Sequence, residues 1–361
     1  MPVSTPARDP ERDIDTSLAA MPIVRGSLPR GATAGALIAV AAAVGGLLVL
    51  IGFTVVLFVL LTAGVFGAVM YLWSRTVEGP RKATDRLVTI VVSGAFLLAL
   101  APLVSVVVTV LVMGLTRFDS VFFTNSMSGV VGVGGGAYHA IVGTLIITGL
   151  AAVMSIPVGL LAAIYLVEYG TGRLARAITF FVDVMTGIPS IVAGLFAYSL
   201  FVLFFGPGVR LGIAGAVALT VLMIPVVVRA TEEMLKIVPN DLREASYALG
   251  VPQWRTIVKV VLPTTIAGIG TGVTLAVARV IGETAPLLIT VGITTAVNLN
   301  PFEGRMATLP VFSYYSYATP GIPRDAFTDR AWAAALVLIV IVMALNLVAR
   351  LISRLFAPKT G

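Results

Sequence analysis

Between Ala34 and Trp73 the chain runs forty residues without a charged side chain. A single helix of that length would reach about 60 Å, twice the roughly 30 Å hydrocarbon core of a bilayer. Two membrane helices with a tight turn near Gly52 fit the stretch better. Six further apolar segments follow, at about 87–115, 138–167, 178–205, 212–229, 264–293 and 332–352, separated by polar stretches. Each is long enough to cross a bilayer as a helix, so the expected fold is an all-α polytopic membrane protein with eight spans. Composition agrees: 58% of residues are hydrophobic and 11% charged, against about 25% charged in soluble domains. A soluble enzyme is excluded. With no cysteine and one histidine, His139, disulfides, thiolate nucleophiles and Cys/His metal sites fall away, and no cofactor is expected.

The net charge of +7 carries its information in placement. Residues 1–33, polar and with four arginines, read as a disordered cytoplasmic tail rather than a cleaved leader. If that tail lies inside, eighteen of the 24 Lys and Arg residues fall on inside segments and five on outside segments, with Arg279 alone within a span. This positive-inside bias predicts a bacterial cytoplasmic membrane protein with both termini in the cytoplasm, and it favours the 34–73 hairpin over a single span. The expected division is the tail 1–33, an extra hairpin and linker at 34–86, and a membrane domain at 87–355. Nothing in the charge pattern calls for nucleic acid.

The inside loop at 230–263 is too long for a simple connector. Pro239 and Asn240 form a helix start, Leu242, Ala245, Ser246 and Leu249 recur at helical spacing, and Gly250 followed by Pro252 forms a stop. A second amphipathic helix places Trp254, Ile257, Val258 and Val261 opposite Arg255 and Lys259. The series Glu244-Ala245-Ser246, three residues, Gly250, nine residues, Val260-Val261-Leu262-Pro263 resembles the Glu-Ala-Ala signature of ATP-binding cassette (ABC) importer permeases, departing from it at Ser246 and Val260. The resemblance implies that Leu242, Glu244, Ala245, Ser246 and Gly250 belong to a coupling helix that docks on a cytoplasmic ATPase. The chain has no Gly-x-x-x-x-Gly-Lys-Ser/Thr phosphate loop. It is therefore expected to be a transport subunit and no enzyme, with hydrolysis supplied by another chain.

Arg279 stands inside the stretch 264–293, with Glu283 four residues on. A charge at membrane depth costs about 2.5–3.5 kcal/mol on insertion scales, so it is rarely idle. On a continuous helix the pair would share one face, either neutralising each other as a structural pair or placing the arginine fork on an anion path. Gly187, Pro189 and Ser190 interrupt another span, and a break there either kinks the helix or turns backbone N–H groups, with Ser190, toward a pathway. Four outside glycines (Gly132, Gly134, Gly135, Gly136) read as a flexible loop, Gly268 and Gly272 as helix packing, His139 as structural, and Asp183 as a cap or snorkelling group.

The segment Ala278-Arg279-Val280-Ile281-Gly282-Glu283-Thr284-Ala285-Pro286-Leu287-Leu288 resembles permeases of the phosphate-specific transport family, of the PstA type rather than the PstC type. Tyr138-His139, Gly143-Thr144, Val167-Glu168-Tyr169, Gly187 to Val192 and Pro225 to Arg229 extend the likeness over 87–355. It implies a six-helix, type I-like importer core, to which the hairpin at 34–73 is an addition. It also implies a PstC-type partner permease in a heterodimer, an ATPase dimer inside, an extracytoplasmic phosphate-binding protein, and Arg279 with Glu283 on the phosphate path. A permease for molybdate or sulfate would keep the coupling loop and differ around Arg279. A stand-alone channel or intramembrane enzyme would need no such loop.

Overall fold

The computed structural model describes residues 26–29 and 31–356, with side chains as far as Leu351; most of the expected tail, Lys359 and the Arg354 side chain lie outside the described part. Contacts divide the chain into two units, one reaching Val106 and one starting at Val107. The expected border at 86/87 instead falls inside a helix, because the polar linker at 75–86 is itself almost wholly helical.

In the first unit, α1 (Ala32–Ile51) and α2 (Val55–Val77) form the hairpin expected from the uncharged run. Gly52 makes the turn with φ 126°, a backbone conformation open to glycine and strained for other residues. Every fourth residue of α1, from Ala32 through Ala36, Val40 and Val44 to Leu48, is buried in a cluster with Phe66 and Met70. The small residues on this stripe let two helices approach where bilayer lipid gives no hydrophobic drive of its own.

α3 (Pro80–Gly114) begins after a two-residue turn, and Glu78 in that turn ties the unit together. Its carboxylate accepts from the Leu28 backbone N–H (2.9 Å), Ser74 Oγ (2.8 Å), and Arg86 Nε and Nη2 (2.7 and 3.0 Å). The Arg86 hydrogen bonds above all, then those from Leu28 and Ser74, pull its pKa down from 4.5 to about 2. A carboxylate whose folded pKa is lowered stabilises fully above its ordinary value and loses that contribution as pH falls toward the folded value. The Leu28 amide is accordingly expected to lose protection against hydrogen exchange as pH falls from about 4.5 toward about 2. Glu78→Ala should show the low protection at every pH. An equally protected Leu28 amide in that variant would remove Glu78 from this role.

In the second unit, the short α4 (Ser120–Thr124) is capped by Asp119, whose Oδ1 accepts from the Phe122 N–H (2.8 Å). The glycine loop that follows is held, contrary to expectation. Arg330 Nη1 donates to the Gly132 and Gly134 carbonyls (2.8 and 2.7 Å), and Arg117 Nη2 to that of Gly135 (2.7 Å). α5 (Tyr138–Ile164) ends in a π-helical turn, Tyr165–Tyr169. α6 (Gly172–Gly187) and α7 (Ser190–Phe205) follow, bent 110° from each other, and then α8 (Gly212–Ile237).

α5 and α8 run parallel. Thr220 Oγ1 donates to the Ala151 carbonyl, Gly159 abuts Val227, and Ala163 packs with Val228, so both sequences advance together. A Cβ on Gly159 would lie 2.7 Å from the Val227 side chain, which shows how closely the two helices approach. Two parallel neighbours require the chain to recross between them, so the bent α6–α7 pair is one crossing. Together with the seven single helices long and apolar enough to span, it makes eight among the described residues.

The polar stretch after α8 forms α9 (Asn240–Ala248), then α10 (Gln253–Thr256), which passes through a second π-helical turn, Ile257–Val261, into α11 (Leu262–Val280). The expected amphipathic helix splits its face: Ile257 and Val261 are buried, while Trp254 and Val258 are exposed. α12 (Ala285–Thr290), α13 (Leu309–Ala318) and the long α14 (Arg324–Phe356) complete the unit. Gly268 packs on Met234 and Gly272 on Ala230, so that glycine pair serves helix contact.

Candidate functional site

The stretch 264–293 is two helices, and this changes the geometry around Arg279. α11 stops at Val280, so Arg279 occupies its last turn and Glu283 the break before α12. The expected shared helical face does not exist. Among the described residues neither side chain forms an ion pair or hydrogen bond with the other or with any group. Arg279 is exposed, and Glu283 is half-buried.

The second break lies between α6 and α7, at Ile188 and Pro189. Packing draws the two breaks together. A Cβ on Gly194 of α7 would lie 2.6 Å from Pro286 Cα of α12, so only glycine admits this approach. On the other side of α12, Leu287 and Val291 press on Gly215 of α8. A cavity of about 230 Å³ opens where the breaks meet, lined by Thr186 and Ser190, by Leu222 and Pro225 of α8, and by Arg279 and Glu283. Ser190 thus shares one site with Arg279 and Glu283, which lie about ninety residues further along the sequence.

The site suits a small anion. Its volume is below the roughly 300–1,000 Å³ of pockets for drug-sized ligands. Arg279 offers a guanidinium without a partner among the described residues. The first intrahelical bonds of α7 are those from Val192 and Ala193 to the Pro189 carbonyl, which leaves the N–H groups of Ser190 and Ile191 at a helix N-terminus beside the cavity. Asp183 of α6 pairs with Arg229 of α8, which also bonds Glu232 Oε2 (2.8 Å). Asp183 is thus an ion-pair partner and no cap. His139 is buried edge-on against Phe312, in keeping with a structural role.

The coupling-loop residues separate into two sets. Leu242, Glu244, Ala245 and Gly250 are exposed, joined by Leu249 at 83% exposure. Ser246 points inward, its Oγ 2.8 Å from Thr256 Oγ1, and staples α9 to α10. Gly250 adopts φ +75°, the left-handed stop expected of it. Sequence reasoning gave no role of their own to Glu168 and Arg243, which form a part-buried ion pair (2.7 Å) between the π-helical turn closing α5 and α9. The available signal was an acid closing a membrane span and an arginine within the coupling helix.

Residues 155–361 match the family model of the binding-protein-dependent transport system inner membrane component. The phosphate transport system permease protein PstA 1 of Mycobacterium tuberculosis is 49% identical over 263 residues, covering 72% of this chain and 84% of that protein. PstA of Mycobacterium leprae is 45% identical, covering 76% and 90%, and PstA of Yersinia pestis 36% identical, covering 77% and 92%. Among solved structures, a chain of a bacterial alginate ABC transporter, crystallised with a pentasaccharide-bound periplasmic protein, aligns with TM-score 0.53 at 16% identity. It covers 77% of this chain and 97% of that one, a likeness of fold alone.

Proposed function

Because this chain belongs to the PstA phosphate permeases of the binding-protein-dependent transport family, we propose that it forms, with a PstC-type permease, the membrane path of an ATP-driven importer for inorganic phosphate. It is a multi-pass permease subunit of an ABC importer, working with an ATPase and a binding protein. In this reading the ATPase dimer binds α9 from the cytoplasm and a phosphate-binding protein delivers from outside. Both termini lie in the cytoplasm, as the distribution of basic residues supports. The hairpin at 34–73 is an addition to the six-span permease core.

One observation carries the substrate path: Arg279, exposed and without a partner among the described residues, at a cavity where two helix breaks meet. An unneutralised guanidinium at membrane depth is costly unless an anion or a polar path uses it. Its planar fork matches two oxygens of a tetrahedral oxyanion. Alternating access exposes this cavity to each side in turn.

The test is radiolabelled phosphate uptake by the assembled transporter in cells without other high-affinity phosphate uptake. Unlabelled phosphate should suppress the signal, and excess sulfate or molybdate should leave it unchanged. Absence of labelled phosphate uptake, with uptake of labelled sulfate or molybdate by the same transporter, would assign the path to another oxyanion.

A further inference from the structure

The docking helix follows the C-terminal end of α8, whereas the cavity takes Leu222 and Pro225 from the middle of that helix, and something must make the one move the other. Arg243, on α9, makes the contacts that such a link needs. Its Nη2 and Nε reach the Glu168 carboxylate at 2.7, 3.2 and 3.3 Å. Its Nη1 donates to the Val238 carbonyl (2.7 Å) and its Nη2 to that of Leu235 (3.1 Å), both at the C-terminal end of α8. One guanidinium thus binds the closing turns of both parallel helices, where unpaired carbonyls and the negative end of the helix dipole favour a cation. From the next element, Gln253 Nε2 donates to the Glu168 backbone carbonyl (2.6 Å).

The pair is sheltered, with side-chain exposure of 12% for Arg243 and 3% for Glu168. A fork-shaped contact at this depth resists sliding in a way that an exposed ion pair does not. Glu168 lies in the π-helical turn closing α5, and the other π-helical turn carries the loop into α11. Such turns interrupt regular helix hydrogen bonding and recur at functional sites. The contacts therefore bind α9 to α5 and α8, while the route into α11 passes through an irregular turn. The cavity takes lining residues from α8 on one side and from α11 on the other.

We propose that Glu168 and Arg243, with Gln253, form the joint that makes α9 and the α5–α8 pair one moving body, so that ATPase motion shifts α8 against α11 and reshapes the Arg279 cavity. Glu168 is then a positioning residue: it touches neither the cavity nor the exposed face of α9. The proposal rests on the permease reading above.

The test reads phosphate uptake and ATP hydrolysis together, in the assembled transporter reconstituted with its binding protein. Wild type must first move phosphate with hydrolysis; if it does not, the permease reading fails and the joint is not at issue. Glu168→Gln keeps the backbone carbonyl and the side-chain shape but removes the charge. The complex should assemble, hydrolysis without binding protein should stay within about twofold, and phosphate moved per ATP should fall about tenfold. Glu168→Asp should lie between the two. The chain has no cysteine, so introduced cysteines are the only thiols it carries, which allows a mechanical rescue. Glu168→Cys with Arg243→Cys should be uncoupled until a short thiol–thiol cross-linker joins the pair, and coupled afterwards. Unchanged phosphate per ATP in Glu168→Gln overturns the joint, as does a cross-link that restores nothing. Failure of Glu168→Gln to assemble also overturns it, because the pair would then serve folding.

Discussion

Arg279→Ala is expected to abolish phosphate uptake while leaving the complex assembled. The two parts of this expectation rest on different observations. Assembly should survive because Arg279 is exposed and makes no hydrogen bond or ion pair among the described residues, and substitutions of that kind usually change stability by about 0.5 kcal/mol or less. Transport should fail because an oxyanion in the cavity of about 230 Å³ would lose the cation that Arg279 supplies among the described lining residues. Truncating one side of a hydrogen-bonded charge pair costs about 2–5 kcal/mol, or about 30- to 4,000-fold in occupancy. Arg279→Lys should retain a fraction of the activity, since an ammonium keeps the charge without the two-pronged donor geometry. Glu283→Gln should lose less than Arg279→Ala, because no ion pair joins the two side chains in the observed break. Uptake at the wild-type rate by Arg279→Ala, at matched membrane levels, would remove this residue from the path.

The expectation for Arg279 drew on sequence alone for its location and on the structure for its reason. Sequence marked the residue because a charge in an apolar stretch stands out whatever the fold. The account of its neighbour missed a local signal: Gly282 and Pro286 flank this break as Gly187 and Pro189 mark the other, and Pro286 falls in the first turn of α12. What no local pattern shows is the close fit of Pro286 on Gly194, a contact between segments about ninety residues apart. Span positions were legible because length and apolarity are local properties. The bend at Pro189 was legible for the same reason, since proline and glycine act on their own backbone. The parallel course of α5 and α8, the restraint of the glycine loop by Arg117 and Arg330, and the inward turn of Ser246 all depend on distant partners. Glu168 was visible only as part of a resemblance, because its role lies in the arginine it meets 75 residues later.

The second large effect is expected at the exposed face of α9. Leu242, Ala245 and Leu249 follow one another at helical spacing and stand free, with Leu242 43% and Leu249 83% exposed. Two exposed leucines flanking a small residue on a polar loop have no packing reason among the described residues, and they form the ridge and notch that a groove on a partner can accept. Ala245→Arg should therefore fill the notch with a charged side chain while leaving the membrane part folded, since Ala245 faces outward. Residues at the centre of such contacts contribute about 2 kcal/mol or more, so ATPase association should weaken at least about 30-fold and uptake should vanish with it. Gly250→Val is expected to act less directly: a φ of +75° costs a β-branched residue about 1–2 kcal/mol and misdirects the exit from α9. Co-purification of the ATPase with tagged permease checks both. Full recovery of the ATPase with Ala245→Arg would place the docking site elsewhere. The comparison with Arg279→Ala is what gives the pair its force. A defect in the cavity leaves the ATPase bound and stops phosphate, whereas a defect on α9 releases the ATPase and leaves the cavity intact but undriven.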